Sequence, residues 1–275
     1  MKSRIVKIEE IETNDRYDLT VPETNNFFAN GILIHNTSAR TGRLPEEKKL
    51  TWFQKTWNRV FGEKFKSSRY VYVSGSRRVV LSTKATTDTG YYSGTQFRIL
   101  IHNQIKDIGL SKGETLYYEI VGYTENSALI MGSHGIEDKK LKKQYGNKMS
   151  YKYGCSPATH KVLIYRITQT SPDGRVIEIP WCQLIARCKE LGLEAVPTLK
   201  EQFIYDGNTD ELLELCNKLS QGSSTLDTEH IKEGVVLRTE GTNGTNAYKY
   251  KGFWFAELEG IRKNCSDYVD PEEIA

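Results

Sequence analysis

The sequence predicts an α+β fold built on antiparallel sheets, and three observations carry that expectation. Short strand-like runs are dispersed among helical stretches without a strand–helix–strand rhythm. Two tight-turn signals, Asn30-Gly31 and Pro172-Asp173-Gly174, sit between apolar runs, which is hairpin chemistry. Composition also shifts after Asn36, separating a small β unit over 1–36 from a longer segment over 37–275.

The elements follow in order. Residues 4–13 alternate charge with Ile and Val, and Asn14-Asp15 marks a turn. Tyr17-Asp-Leu-Thr-Val alternates like a short strand, and Pro22 to Asn26 is a turn cluster. Phe27-Phe-Ala and Ile32-Leu-Ile flank Asn30-Gly31 as two short strands. This first unit has too little apolar surface to fold alone, so it is expected to need a partner. Downstream, a helix is expected near 46–61, then strands at Tyr70–Val73 and Val79–Leu81 around Ser74-Gly-Ser. Residues 91–108 read as helical, Leu116–Val121 as a strand, and the lysine-rich 136–152 as an exposed insertion. Val162–Ile167 is a strand before the Pro172-Asp-Gly turn. Helices are expected at 180–191 and 209–220, and late strands at Gly234–Arg238 and Ala247–Lys251.

The apolar fraction of 38% is enough for a packed core. The net charge of +3 neither demands nor excludes a nucleic-acid partner, because a basic groove can hide in a near-neutral total. Five cysteines are an odd number, and none forms a C-x-x-C pair, so neither a disulfide framework nor a zinc site is suggested. The start has no apolar signal region, and no apolar run approaches the ~20 residues of a membrane span. The expectation is a soluble chain in the cytoplasm of a phage host or bacterium.

The run from Tyr17-Asp18 through Phe27-Phe-Ala-Asn-Gly-Ile-Leu-Ile-His35-Asn36-Thr37 resembles the C-terminal motifs of inteins, and in particular the C-terminal piece of naturally split ones. The spacing suits the chemistry. An Asn side-chain amide can attack its own backbone carbonyl, close a succinimide and cut the chain after itself. A preceding His can donate a proton. The residue after the cut needs a β-hydroxyl or thiol to receive an acyl group and pass it to its freed amine. His35, Asn36 and Thr37 fit these roles in order, and Asp18 matches a family acid that assists. Asn25 stands where many relatives carry His; it can hydrogen-bond but cannot titrate.

Thr37-Ser-Ala-Arg-Thr-Gly-Arg resembles the tail of motif I of phage RNA ligases, Lys-x-[Asp/His]-Gly-Thr-Ser-x-Arg. The nucleophilic lysine of that motif belongs just before Thr37, where this chain has the intein-like segment. Four Lys-x-x-Gly matches, at Lys106, Lys143, Lys189 and Lys249, lack the Thr-Ser-x-Arg that should follow; Lys106 reads as a helix end with Gly109 as its stop. Further along, Tyr117-Tyr-Glu-Ile-Val-Gly is similar to motif III and Val162-Leu-Ile-Tyr-Arg-Ile to motif IIIa. Glu233-Gly-Val-Val-Leu-Arg is similar to motif IV, and Tyr248-Lys-Tyr-Lys-Gly-Phe to motif V. Tyr145-Gly and Tyr153-Gly-Cys155 also resemble these ligases. Each match is weak alone; four in order behind Thr-Ser-x-Arg are specific.

The resemblance implies a nucleotidyltransferase domain of antiparallel sheets with flanking helices, over 37–275. It implies three nucleotidyl transfers: lysine onto the α-phosphate of ATP, AMP onto a 5′-phosphate RNA end, and displacement of AMP by a 3′-hydroxyl. Lys249 and Lys251 would hold the α-phosphate; two apart on a strand, they share a side, though a solvated strand face gives the same pattern. Glu233 would place Mg2+, Glu119 the ribose, and Tyr165 would stack on adenine unless it is a core tyrosine. Arg40 could contact the nucleotide. Arg77 or Arg78 could reach the 5′-phosphate, while the other of the two faces solvent. Lysines 139–148 could touch a nucleic-acid backbone or simply cover a solvated helix face. The partners implied are RNA and an upstream half carrying the lysine. Only 24 residues follow Lys251, which leaves no room for the oligonucleotide-binding barrel of DNA ligases and capping enzymes. A DNA- or cap-forming transferase, and a catalytically dead nucleic-acid-binding module with an intein remnant, stand as alternatives.

Overall fold

In the computed structural model, the described residues are 28–29, 32–33, 38–62, 64–65, 67–76, 80–81, 97–201, 203–241 and 244–258. They form a mixed α and β structure in which every strand pair but one is antiparallel. Asp18, His35, Asn36, Thr37, Arg77 and Arg78 lie outside these residues.

β1 (Phe28–Ala29) and β2 (Ile32–Leu33) pair antiparallel with Ala29 opposite Ile32, and the Asn30-Gly31 turn expected between them lies outside the described residues. The large sheet runs in the order β10-β9-β6-β3-β4-β5. Its strands are β3 (Ser38–Glu47), β4 (Ser68–Ser76), β5 (Val80–Leu81), β6 (Glu114–Gly122), β9 (His160–Thr170) and β10 (Val176–Glu178). A short strand, β11 (Glu194–Ala195), pairs with β9 in parallel, the one exception. β9 and β10 close across the Pro172-Asp-Gly turn, with Val176 opposite Thr170.

One face of this sheet carries the first core. Ala39, Leu116, Tyr118, Ile120, Ile164 and Ile167 project there, against Ile101 and Ile105 of α2 (Phe97–Ile108) and Leu184 and Cys188 of α4 (Trp181–Leu191). Both helices present an i, i+4 apolar pair, as a helix lying on a sheet must. Thr41, fully buried on this face, bonds Tyr118 Oη at 2.9 Å and His102 Nδ1 at 3.1 Å, so its hydroxyl is satisfied. Burial pushes the Tyr118 phenol up to about 12.

The opposite face carries the second core, where Val121 and Leu163 meet Met131, Ile136, Leu141, Met149, Tyr151, Ile231 and Phe255. Met131 and Ile136 flank β7 (Ser133–Gly135), Leu141 lies on α3 (Lys139–Tyr145), Met149 on β8 (Lys148–Ser150), Phe255 on α6 (Phe253–Leu258), and Tyr151 and Ile231 on loops. This corrects one expectation. Residues 136–152 are not an exposed insertion: the lysines face out, but Ile136, Leu141, Met149 and Tyr151 are buried. Over the same face lies a separate ribbon of β12 (Gly234–Gly241) and β13 (Gly244–Lys251). Arg238 fastens it to the sheet. Its guanidinium meets Glu178 of β10 at 2.7 Å, donates to Ile179 O at 2.9 Å and lies over the Trp181 ring.

Two further boundaries differ from expectation. The helix expected at 46–61 begins later: β3 continues to Glu47, and α1 is Trp52–Phe61. Thr51 sets its start through a capping box, accepting from the Gln54 N–H while the Gln54 side chain accepts from its own N–H. Ser74-Gly75-Ser76 is not a turn between strands but the end of β4, paired with β3 through Gly75 and Arg40. Helices α4 and α5 (Thr209–Ser220) fall where the sequence predicts them.

Candidate functional site

Side chains alternate along a strand, so register decides which groups can meet. Ser38 pairs with Glu119 and Arg40 with Tyr117 across β3 and β6. These four share the second face with Val121 and Leu163, toward the β12–β13 ribbon. Arg43, the last position of the Thr-Ser-x-Arg-x-x-Arg run, belongs to the opposite face, where it donates to Leu110 O at 3.0 Å.

Tyr165 reaches the site through an irregularity. The ladder between β6 and β9 pairs Tyr117 with Arg166 and Tyr118 with Ile164, leaving Tyr165 as the extra residue of a β-bulge. A bulge re-aims the side chains beside it. Ile164 and Ile167 stay in the first core, while Tyr165 and Arg166 both turn to the other face. The Tyr165 ring lies 6.5 Å from Tyr117, and the Arg166 guanidinium sits over Tyr117 at 5.0 Å. Burial and then the Glu119 carboxylate hold the Tyr165 phenol well above its ordinary value, so it stays protonated at neutral pH. Glu119 itself accepts a hydrogen bond from the Ser38 hydroxyl.

Glu233 ends the loop entering β12. Its Oε1 accepts from the Tyr153 hydroxyl, and its Oε2 lies 4.0 Å from Lys249 Nζ. Lys249 and Lys251 are both half-buried and lie opposite Val236 and Gly234, on the ribbon face shared with Arg238. Gly234 is dictated by close approach: a Cβ there would stand 2.1 Å from Tyr250 O. The ribbon's entry is held further by Gly252 N–H donating to Glu233 O at 2.9 Å.

Tyr153 joins the two halves of the site. It is buried, and burial, followed by the Glu233 and Glu119 carboxylates among others, raises its phenol well above the usual range. Both carboxylates therefore raise one phenol, although one belongs to the sheet and the other to the loop entering the ribbon. Tyr153 has φ 55°, a left-handed conformation that a bulky L-residue adopts with strain. Lys161 Nζ fixes its carbonyl at 3.3 Å, and Asp227 accepts from the next N–H, of Gly154, at 2.9 Å. His230 packs against the Tyr153 and Tyr151 rings at 4.7 Å each. The sequence assigned no role to Tyr153 or His230. Tyr153 and Glu233 are 80 residues apart, and no local pattern signals such a contact.

Glu233 and Lys249 thus meet at the ribbon and Glu119 and Tyr165 share the sheet face, with Lys251 and Arg40 two residues along from Lys249 and Ser38 on the same faces of their strands. Two carboxylates, two ammonium groups, a ring edge and protonated phenols can hold a polyanion, orient a hydroxylated sugar and take a flat base. Among the described residues no three His, Cys, Asp or Glu side chains converge as a metal cage. A carboxylate such as Glu233 still fits Mg2+, which commonly takes one or two protein carboxylates and completes its shell with water and phosphate oxygens. A surface hollow of 330 Å3 elsewhere is lined by Ser111, Glu114, Gln183, Arg187 and Glu190 among others. Its carboxylate is already engaged: Arg187 donates to both oxygens of Glu114 at 2.8 and 2.9 Å, and the Ser111 N–H donates at 2.7 Å. That arrangement is structural. No protein-family model matches the sequence, and no curated protein matches it.

Proposed function

We propose that this chain is the downstream half of a split ATP-dependent RNA ligase, carrying a C-terminal split-intein fragment over 1–36 and a nucleotidyltransferase domain over 37–275. The observation that carries this reading is the convergence around Tyr153. The residues matching motifs IV and V meet there, Glu233 accepting from the Tyr153 hydroxyl and lying 4.0 Å from Lys249, while Ser38 holds Glu119 of motif III on the sheet face that the ribbon covers, although the sequence spreads them over 131 positions.

In this reading the upstream half supplies the lysine. Its amine forms an N–P bond to the α-phosphate of ATP as the bond to pyrophosphate breaks. AMP then passes to a 5′-phosphate end, and a 3′-hydroxyl finally attacks that phosphate and releases AMP. Lys249 and Lys251 place two cations beside the α-phosphate, where negative charge accumulates in every step. Glu119, held by Ser38, accepts from the ribose hydroxyls. Tyr165 offers its ring to adenine. Glu233, oriented by Tyr153, would hold Mg2+, which supplies charge neutralisation on the phosphates when bound. Splicing assigns Asn36 to succinimide formation, His35 to proton donation, Thr37 to acyl transfer and Asp18 to assisting the rearrangement. Arg77 and Arg78 remain the candidates for the 5′-phosphate.

The test uses the chain before and after joining. Incubated alone with radiolabelled ATP and magnesium, it should form no covalent AMP adduct. Mixed with its upstream half, it should lose residues 1–36, join Thr37 to the new segment and then form an adduct on a lysine of that segment. Asn36→Ala should block release of the fragment. A phosphoramidate on any lysine of the unspliced chain, or normal splicing by Asn36→Ala, would overturn the proposal.

A further inference from the structure

Helix α1 is unlike the other long helices in that none of its residues is buried. Its apolar arc is aromatic: Phe53, Trp57 and Phe61 recur at four-residue spacing and line one side in tilted contacts, with ring centroids 5.9 and 4.7 Å apart. Trp52 is 80% exposed and Phe61 70%. Charge is concentrated in the same stretch of sequence. Residues 48–66 carry Lys48, Lys49, Lys55, Arg59, Lys64 and Lys66 against Glu63 alone, a net +5 in a chain whose total is +3.

We propose that α1 and its flanking lysines form a docking platform for single-stranded nucleic acid, separate from the Tyr153 site. Unpaired bases stack on exposed rings whatever their sequence, with Lys64 beside them over Trp57, while Lys55 and Arg59, two residues either side of Trp57 and so about 160° round the helix from it, meet the phosphates from the far side next to Trp52. The inference stands without the ligase reading. Three features select this occupant over others that are also anionic or apolar. The helix offers aromatic planes and one Val, with none of the Leu, Ile or Met anchors that a protein groove takes from a helix. Lys64 Nζ lies over the Trp57 ring at 5.2 Å and Phe65 at 6.0 Å, so immersing this face in lipid would carry an ammonium group into hydrocarbon. From Lys48 to Gly62 there is no acid to repel a phosphate. The platform lies beyond the Glu47 end of β3, about 30 Å of extended strand from Ser38, so a strand bound there need not fill the Tyr153 site.

The test is fluorescence anisotropy of a labelled oligouridylate with the full, unspliced chain, alongside quenching of its tryptophans. Trp52→Ala combined with Phe61→Ala should weaken binding by at least ~10-fold, since each removes a stacking surface. Lys55→Ala with Arg59→Ala should flatten the dependence of log affinity on log salt by about 1.4. All four residues are exposed, so circular dichroism should stay unchanged. The charge control is Lys189→Ala with Lys218→Ala, exposed cations on α4 and α5 away from the rings of α1. Equal losses from the control and the aromatic variant would overturn the proposal. So would binding to phosphatidylserine vesicles without binding to the oligonucleotide, or no binding to either.

Discussion

Replacing Gly234 with alanine builds a Cβ 2.1 Å from Tyr250 O and 2.9 Å from Lys251 Cα. Both obstacles are backbone of the paired strand, so no side chain can swing aside. β13 must retreat from β12 by about 1 Å to restore ordinary contact. Overpacking of this kind destabilises by about 1–3 kcal/mol. At about 2–4 °C per kcal/mol for a chain of this size, the melting temperature should fall by roughly 2–12 °C. Gly241→Ala, on the same ribbon with nothing within 4 Å of the added carbon, is the matched control and should be close to neutral. Calorimetry reads the difference, and hydrogen exchange should localise the loss to 234–251. In the spliced product the same substitution shifts Lys249 and Lys251, and a displacement of ~1 Å can slow transfer about 100-fold. If Gly234→Ala melts with Gly241→Ala and exchange over the ribbon is unchanged, the close approach does not hold the ribbon and the argument fails.

Two other perturbations test the electrostatics. Burial tends to raise the Glu114 carboxyl, but hydrogen bonds from Arg187 and Ser111 together with the Arg187 charge outweigh it and hold it below its ordinary value. A depressed carboxyl contributes stability that is present above its unfolded value of ~4.3 and lost as pH falls through the folded one. Arg187→Ala should therefore cost about 3 kcal/mol at neutral pH and move the acid-unfolding midpoint upward; an unmoved midpoint would show that the pair is not the source. Tyr153→Phe in the spliced product should slow AMP-adduct formation about 10-fold by releasing one oxygen of Glu233, and should add little in a Glu233→Gln background. Additive losses in that double-mutant cycle would separate the two residues.

What the sequence made legible was what local chemistry decides. Pro172-Asp-Gly specifies its turn, and the stretches expected to be helical at 180–191 and 209–220 are α4 and α5. Boundaries set by tertiary pairing were misread. Pro45-Glu46-Glu47 looks like the start of a helix, yet it prolongs β3. β6 stops pairing at Gly42, so Pro45 lies where the strand has a neighbour on one side, and Glu46 meets Arg69 of β4 at 2.6 Å. The 136–152 stretch hid its core residues because one apolar anchor per turn among lysines leaves no periodic signal. Of the candidate site, the strand residues Glu119, Lys249 and Lys251 were legible by motif and alternation. Tyr153 was marked only as part of Tyr153-Gly-Cys155, and its role was not legible, because it rests on a contact made 80 residues away. The sequence named Tyr165 but not the bulge that turns it.

That bulge gives β9 one residue more than its ladder uses. Ile164 is opposite Tyr118 and Arg166 opposite Tyr117, while Tyr165 has no counterpart. Removing a residue from an interior strand normally reverses the facing of everything beyond it. Here, excision of Tyr165 would make Ile164 and Arg166 consecutive, already opposite consecutive partners and already facing opposite ways. The sheet can therefore lose this ring by deletion and remain in register, so a lineage could discard the aromatic surface in a single step without refolding the strand around it.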